Sequence, residues 1–171
     1  MEDSSGSSII LIFILVLVNA FFASAEMAIV SINKTKLNLL AENNNKNAKL
    51  LLNLLKDTSC FLATIQVGIT FAGFFASASA ATTLSKGFGL FLINLGIPYG
   101  NNIALVLTTL VISYITLVLG ELVPKKIALQ NAESIAMFSV KPIIFISKIT
   151  KPFVWFLSIS TNSILNLFGI K

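Results

Sequence analysis

This chain has 171 residues, of which 56% are hydrophobic and 11% charged. Its mean hydropathy of +0.90 is too high for a soluble domain of this length and indicates an integral membrane protein. Histidine is absent and Cys60 is the only cysteine, which excludes an internal disulfide and a zinc site built from these residues. The net charge is +5 and all twelve basic residues are lysines, which flank apolar segments without interleaved aromatic residues. This pattern favours membrane topology over a nucleic-acid partner.

The first predicted element is a transmembrane helix over about residues 9–32. The polar, acidic residues 1–8 precede it, and we expect them to be disordered and extracellular. A run of small residues near position 24 resembles a leader cleavage site, so a signal peptide is the competing interpretation. The first eight residues carry two acids and no lysine, which is the wrong sign for the basic start of a signal peptide.

The second predicted element is amphipathic. Lysines and leucines alternate over about residues 34–57 at spacings of three and four, with a break near Asn43-Asn44-Asn45. Such helices can lie in the headgroup layer of a membrane. A soluble two-helix loop docked on a further domain is the alternative.

The next predicted elements are two more membrane spans. The second span covers about residues 59–83 and carries small residues every fourth position, from Gly68 to Ala80, which allow close helix packing. Four glycines and a proline predict a loop over residues 84–102. The third span covers about residues 103–123.

The last predicted elements are interfacial helices over about residues 134–170. Lys141-Pro142, Lys148 and Lys151-Pro152 interrupt this apolar stretch, and a fourth membrane-embedded helix is the alternative. The predicted fold class is therefore an all-α integral membrane protein. It has three transmembrane helices plus amphipathic juxtamembrane or interfacial helices, within a single domain over residues 9–171.

The lysine distribution predicts the orientation. Five lysines lie in the first connection, one in the second and six in the tail. Loops rich in lysine stay in the cytoplasm, so we expect a multi-pass protein of the cell membrane with its N-terminus outside and its C-terminus cytoplasmic.

The most informative motif closes the third span, in the run Gly120-Glu121-Leu122-Val123-Pro124. A charged Glu121 inside or at the edge of hydrocarbon costs about 2.5–3.5 kcal/mol on insertion scales, which indicates a functional role. Pro124 has no N–H, so the Gly120 carbonyl loses its helical donor. A carboxylate beside a freed carbonyl oxygen suggests a cation site. The simpler interpretation is that Pro124 ends the helix and Glu121 pairs with Lys125 or Lys126.

Each span also carries one face with oxygen-containing groups, spaced seven residues apart. These pairs are Asn19 and Glu26 in the first span, Thr70 and Ser77 in the second, and Ser113 and Gly120 in the third. Converging faces would form a pocket suited to magnesium, calcium or sodium. The alternatives are local: hydroxyls that bond their own helix, Asn19 as a link between helices, and Glu26 reaching the interface.

At these residues the chain resembles the transmembrane domain of the CNNM/CorC family, also called cyclin-M-like or hemolysin-C-like proteins. The matching stretches are residues 19–26, 65–70 and 120–125, in the family's order and spacing. The resemblance implies a homodimer in membrane lipid with a magnesium-selective site, magnesium export, and sodium as a candidate coupling ion. It also implies cytoplasmic CBS domains, which these residues do not contain.

Carried over by residue, the resemblance assigns Glu121, the Gly120 carbonyl and Ser77 to the ion site. Where many members have serines or asparagines, this chain has Ala23, Ala25, Ile69, Thr70 and Gly73. Water can fill these places, the ion can differ, or other oxygens can compensate. The candidate metal ligands are therefore Glu121, Gly120, Ser77, Asn19, Glu26, Thr70 and Ser24.

The leading hypothesis is a magnesium exporter, and its alternative is a non-transporting magnesium sensor or membrane anchor for cytoplasmic domains. An enzyme is not expected, because the sequence has no histidine, nucleophile elbow or phosphate-binding glycine loop. A pore-forming toxin is disfavoured because the chain is too apolar to be secreted in soluble form.

Overall fold

The computed structural model describes residues 3–169, and these are helical apart from short turns. Within them, seven α-helices follow in chain order: α1 (Asp3–Ser31), α2 (Lys34–Glu42), α3 (Lys46–Leu54), α4 (Thr58–Asn94), α5 (Gly100–Leu117), α6 (Val123–Gln130) and α7 (Ala132–Leu167). A 3-10 turn, Leu55–Asp57, joins α3 to α4, and a π-helical turn, Val118–Leu122, joins α5 to α6. The predicted all-α class is confirmed.

Polar side chains at helix N-termini define where the short helices begin. Asn33 accepts a hydrogen bond from the Lys36 N–H, and Asp57 accepts one from the Cys60 N–H, each over 3.1 Å. Asn45 caps α3 in the same way, which satisfies amides that the helix itself leaves without acceptors. Asn44 has a φ of 61°, a conformation that asparagine tolerates well. The predicted break at Asn43–Asn45 is therefore present.

Helix α4 lies at the centre of the fold, with its most extensive contacts to α1 and α5. Ala72, Ala76 and Ala80 are all buried on it, as expected for a face of small residues that lets neighbouring helices approach. A separate core cluster, with Phe61 and Ile65 fully buried, joins the start of α4 to α1, α2, α3, α6 and α7. A second cluster, formed by Ile12, Val16, Ala80 and Ile112, joins α1, α4 and α5.

Between residues 3 and 169, four segments are long and apolar enough to cross a membrane: Gly6–Ser31, Lys46–Asn94, Gly100–Gln130 and Ala132–Leu167. Three of them contain the predicted spans. The fourth is α7, which the sequence left open between an interfacial and an embedded helix.

The N-terminal segment differs from the prediction. The sequence predicted disorder over residues 1–8, whereas α1 begins at Asp3; residues 1 and 2 lie outside the described residues. Polar composition was therefore a poor guide to disorder in this segment.

The predicted loop over residues 84–102 is also much shorter in the structure. Helix α4 continues to Asn94, and α5 starts at Gly100. A Cβ at Gly89 would lie 3.1 Å from the Asn101 Cα, so this glycine serves a close approach of α4 to α5. Glycine is tolerated inside membrane helices, whose backbone groups must be satisfied internally.

The tail forms one continuous helix, α7, where several interfacial helices were predicted. Pro142 and Pro152 both lie inside it. Each proline removes one helical hydrogen bond, but the flanking apolar residues keep the backbone helical. Proline was thus a poor guide to helix ends in this segment.

Candidate cation site

A cavity of about 300 Å³ lies between α1, α4, α5 and the π-helical turn. Its lining combines apolar side chains with an amide, four hydroxyls and a carboxylate, from Asn19, Ile69, Thr70, Gly73, Phe74, Ser77, Ser113, Thr116, Leu117 and Glu121. Polar groups from all three predicted spans meet here. The described residues contain no group of three or more His, Cys, Asp or Glu side chains placed to hold a metal ion. Any cation in this cavity would therefore depend mainly on neutral oxygens and Glu121.

Asn19 is the central amide of the cavity and is only 2% exposed. Its Nδ2 donates a hydrogen bond of 3.1 Å to the Gly120 carbonyl oxygen, which joins α1 to the π-helical turn. Its Oδ1 has no hydrogen-bond partner among the described residues, and neither does the Oγ1 of Thr116. Buried oxygen atoms without partners are rare and costly. These two oxygens therefore have unused hydrogen-bonding capacity next to the cavity.

The π-helical turn explains how Gly120 reaches Asn19. The Val123 N–H donates to the Val118 carbonyl, five residues back, which widens the helix by one residue. Pro124 follows directly and has no N–H to offer Gly120. Gly120 is buried, and a Cβ there would lie 3.0 Å from the Asn19 Nδ2. Glycine therefore allows the close contact, and Asn19 supplies the donor that the predicted free carbonyl lacks.

Glu121 joins the cavity to a charged group at its edge. Its Oε1 lies 2.9 Å from the Lys125 Nζ, one helical turn later. The same Nζ lies 3.1 Å from Oε2 of Glu26 on α1. The pairing of Glu121 with Lys125, one alternative from the sequence, is thus present, while Glu121 also lines the cavity.

The structure brings together most of the candidate residues but not all. Asn19, Thr70, Ser77 and Glu121 line the cavity, and Gly120 adjoins it through Asn19. Glu26 is on the same face of α1 as Asn19 but lies seven residues away, about 10 Å along the helix axis. It reaches Glu121 only through Lys125.

Ser24 lies outside the cavity. Its Oγ donates to the Ala20 carbonyl over 2.7 Å, one turn back in α1. The side chain lines a separate, apolar groove with Pro124 and Ile127. A serine that bonds its own helix is common in membrane helices.

Three polar residues of the site were absent from the predicted ligand set. Ser113 and Thr116 line the cavity, and their position on the polar face of the third span was the available signal. Lys125 lies at its edge, and its four-residue spacing from Glu121 indicated a pair. Its second contact, with Glu26, had no sequence signal because it depends on how α1 packs against α6.

Comparison with known proteins places the whole chain in one group. Residues 10–171 match the family model described as "Cyclin M transmembrane N-terminal domain". The UPF0053 protein sll0260 of Synechocystis is 40% identical over 93% of this chain and 36% of its own length. The UPF0053 protein YugS of Bacillus subtilis is 30% identical over 94% of this chain and 38% of its own length.

A Mycobacterium tuberculosis protein, Rv1841c, is 30% identical over 96% of this chain and 47% of its own length. The chain therefore spans less than half the length of these relatives. What they share with it is the helical membrane region that contains the cavity.

Proposed function

We propose a cation-transport function for this chain, which belongs to the CNNM family of cyclin M transmembrane N-terminal domains. The transported ion is magnesium, moved outward across the cell membrane. One observation carries the proposal: the residues that line the cavity include Glu121 and two side chains, Asn19 and Thr116, whose buried oxygens have no partner among the described residues. A hard cation would satisfy both.

The donor chemistry supports a hard cation over a transition metal. The polar atoms lining the cavity are carboxylate, amide and hydroxyl groups, which suit magnesium, calcium or sodium. Magnesium retains several waters when few protein ligands are present. A cavity of about 300 Å³ has room for a partly hydrated ion. Sodium is the coupling ion in this proposal.

The transport mechanism uses the helix contacts around the cavity. The ion enters from the cytoplasmic side, binds Glu121 with Asn19, Thr116 and Ser77, and leaves outward after α1, α4 and α5 rearrange. Discontinuous helices at a membrane ion site are common in secondary transporters, and the π-helical turn at Val118–Leu122 is such a discontinuity. We propose a homodimer whose cytoplasmic CBS domains regulate this region.

The alternative function is a magnesium sensor that does not transport. It is favoured by the length of the relatives, which are more than twice as long as this chain. In that case the cavity would bind magnesium and report its occupancy to further domains. Purified protein in liposomes with an internal magnesium dye distinguishes the two, because the sensor would bind magnesium without flux.

The first prediction concerns Glu121. Replacement of Glu121 by Ala should abolish magnesium binding and the protection of cells against high magnesium, because the charged ligand of the cavity is lost. Magnesium titration of the purified protein and growth of expressing cells measure the effect. Glu42→Ala, which removes an exposed acid on α2, is the matched control. Full magnesium binding and export by a well-expressed Glu121→Ala protein would refute the proposed site.

A further inference from the structure

The Lys125 ammonium is shared between two carboxylates from different parts of the fold. It lies 2.9 Å from Glu121 on the π-helical turn and 3.1 Å from Glu26 on α1. The three side chains are between 24% and 31% exposed, so solvent only partly screens them. Two carboxylates and one ammonium leave one net negative charge beside the cavity.

This arrangement conflicts with a metal ion on Glu121. The Glu121 carboxylate lines the cavity while its Oε1 is held by Lys125. A divalent cation on the same carboxylate would lie close to the ammonium, and the repulsion between like charges grows steeply at short distance where solvent is scarce. We therefore expect the ammonium to move away from Glu121 when the cation binds.

Glu26 can form an ion pair with the Lys125 ammonium after it leaves Glu121. An unpaired charge in this partly buried position would be costly, because its partner is lost while its burial remains. Lys125 already contacts Glu26, so it can release Glu121 and keep an ion pair. This accounts for a second carboxylate that sits near the site without lining the cavity.

We propose that Lys125 is a tethered counter-ion that competes with the transported cation for Glu121, and that Glu26 holds the ammonium while the cation is bound. The inference rests on the proposed cation site at Glu121. Lys125 is thus a positioning residue that sets the affinity of the site. A site with a built-in competitor binds its ion more weakly and releases it more readily.

Substitution of Lys125 by Met tests the competition. Methionine keeps a long apolar side chain but removes the charge, so two net negative charges remain beside the cavity. We expect magnesium to bind about tenfold more tightly, since the competing cation is gone, and magnesium efflux from liposomes to slow as release becomes limiting. Lys126→Met is the matched control, because Lys126 is exposed and follows Lys125 directly in α6; it should leave the magnesium affinity unchanged.

Substitution of Glu26 by Gln should act in the opposite direction. Lys125 then has only Glu121 as a charged partner, and we expect magnesium to bind about tenfold more weakly. Opposite shifts in affinity separate competition from a structural role, which would weaken binding in both variants. Weaker or unchanged binding in Lys125→Met overturns the proposal. If that variant does not fold, unchanged or tighter binding in Glu26→Gln overturns it instead.

The two proposals fail in different ways. If Glu121→Ala still binds magnesium, the cation site itself is wrong. If Glu121→Ala abolishes binding but a folded Lys125→Met protein does not bind magnesium more tightly, the site stands and only the competition is wrong.

Discussion

The two polar atoms of the Asn19 amide have different surroundings in the site. Its nitrogen donates to Gly120, and its oxygen has no partner among the described residues. A buried acceptor left unsatisfied costs about 1–3 kcal/mol, so a ligand or water that binds this oxygen would stabilise the fold. The hydrogen bond to Gly120 fixes which way the amide points.

A second prediction therefore concerns Gly120. An alanine Cβ would lie 3.0 Å from the Asn19 Nδ2 and 3.5 Å from the Thr116 Cγ2. The Asn19 amide must then shift. We expect Gly120→Ala to weaken magnesium binding about three- to tenfold, which corresponds to the net free energy of one hydrogen bond. Magnesium titration of the purified protein measures this.

Gly87→Ala is the control for this variant, since a Cβ there has nothing within 4 Å. It should bind magnesium normally. Normal affinity in a folded Gly120→Ala protein would mean that the Asn19–Gly120 contact does not orient the ligand.

Sequence was a good guide to individual acids and a poor one to their partners. Glu121 stood out because a charge in an apolar segment needs a reason. The contact of Asn19 with Gly120 joins residues 101 positions apart, and no local pattern encodes it. The same holds for Glu26, whose link to Glu121 runs through Lys125.

At the level of elements, the π-helical turn between α5 and α6 sets the direction of Glu121. A π turn adds one residue to the helix, which changes the phase of the flanking segments by about 100° relative to a continuous α-helix. Pro124 supports this geometry because it cannot donate to the Gly120 carbonyl. A regular α-helix through this region would point the Glu121 side chain away from the cavity.

The third prediction follows from Pro124. In Pro124→Ala the new N–H can donate to the Gly120 carbonyl and compete with Asn19, which favours a regular α-helix. We expect magnesium affinity to fall at least about tenfold because the carboxylate leaves the cavity. Magnesium titration of detergent-purified protein is the measurement.

Pro142→Ala is the comparison for this variant, because it also restores an N–H inside a helix but on α7, away from the cavity. Its magnesium affinity should match the unmodified chain. If Pro124→Ala and Pro142→Ala lose the same amount of magnesium affinity, the loss comes from replacing a helical proline and not from the turn at Glu121.

The elements themselves were largely predictable, and their ends were not. Apolar length gave α1, α4 and α5, and lysine–leucine spacing gave α2 and α3. Glycines at 87 and 89 suggested a loop, yet both lie inside α4. In hydrocarbon an exposed backbone costs more than a glycine in a helix, so membrane context overrode the usual meaning of glycine.

At the scale of the whole molecule, the exposed residues of α7 bear on the topology. Its three lysines, Lys141, Lys148 and Lys151, are all exposed, and their spacings of seven and three place them on one face of the helix. Phe145, Ile149 and Trp155 are more than 60% exposed and offer apolar surface to lipid. Because lysines interrupt this exposed apolar surface, we predict that α7 lies in the plane of the interface.

The fourth prediction is the resulting topology. In a Cys60→Ser background, which lacks cysteine, new cysteines at Lys46, Asn102 and Asn166 all occupy exposed positions. With three spans and α7 in the interface, a membrane-impermeant thiol reagent should label Asn102→Cys from outside. It should label Lys46→Cys and Asn166→Cys only from the cytoplasmic side.

Labelling of the unsubstituted Cys60→Ser protein measures the background. External labelling at position 166 would show that α7 crosses the membrane. External labelling at position 46 would reverse the orientation proposed from the lysines.

The contact between Asn19 and Gly120 also has a consequence for biosynthesis. The ribosome adds about 5–20 residues per second, so α1 emerges roughly 5–20 s before the carbonyl 101 positions later exists to receive its amide. During that interval a polar amide faces the insertion machinery or lipid alone. We therefore expect α1 to stay at the protein-conducting channel until α5 and the π-helical turn have been synthesised. Assembly of the pocket would then coincide with release of the chain into the bilayer.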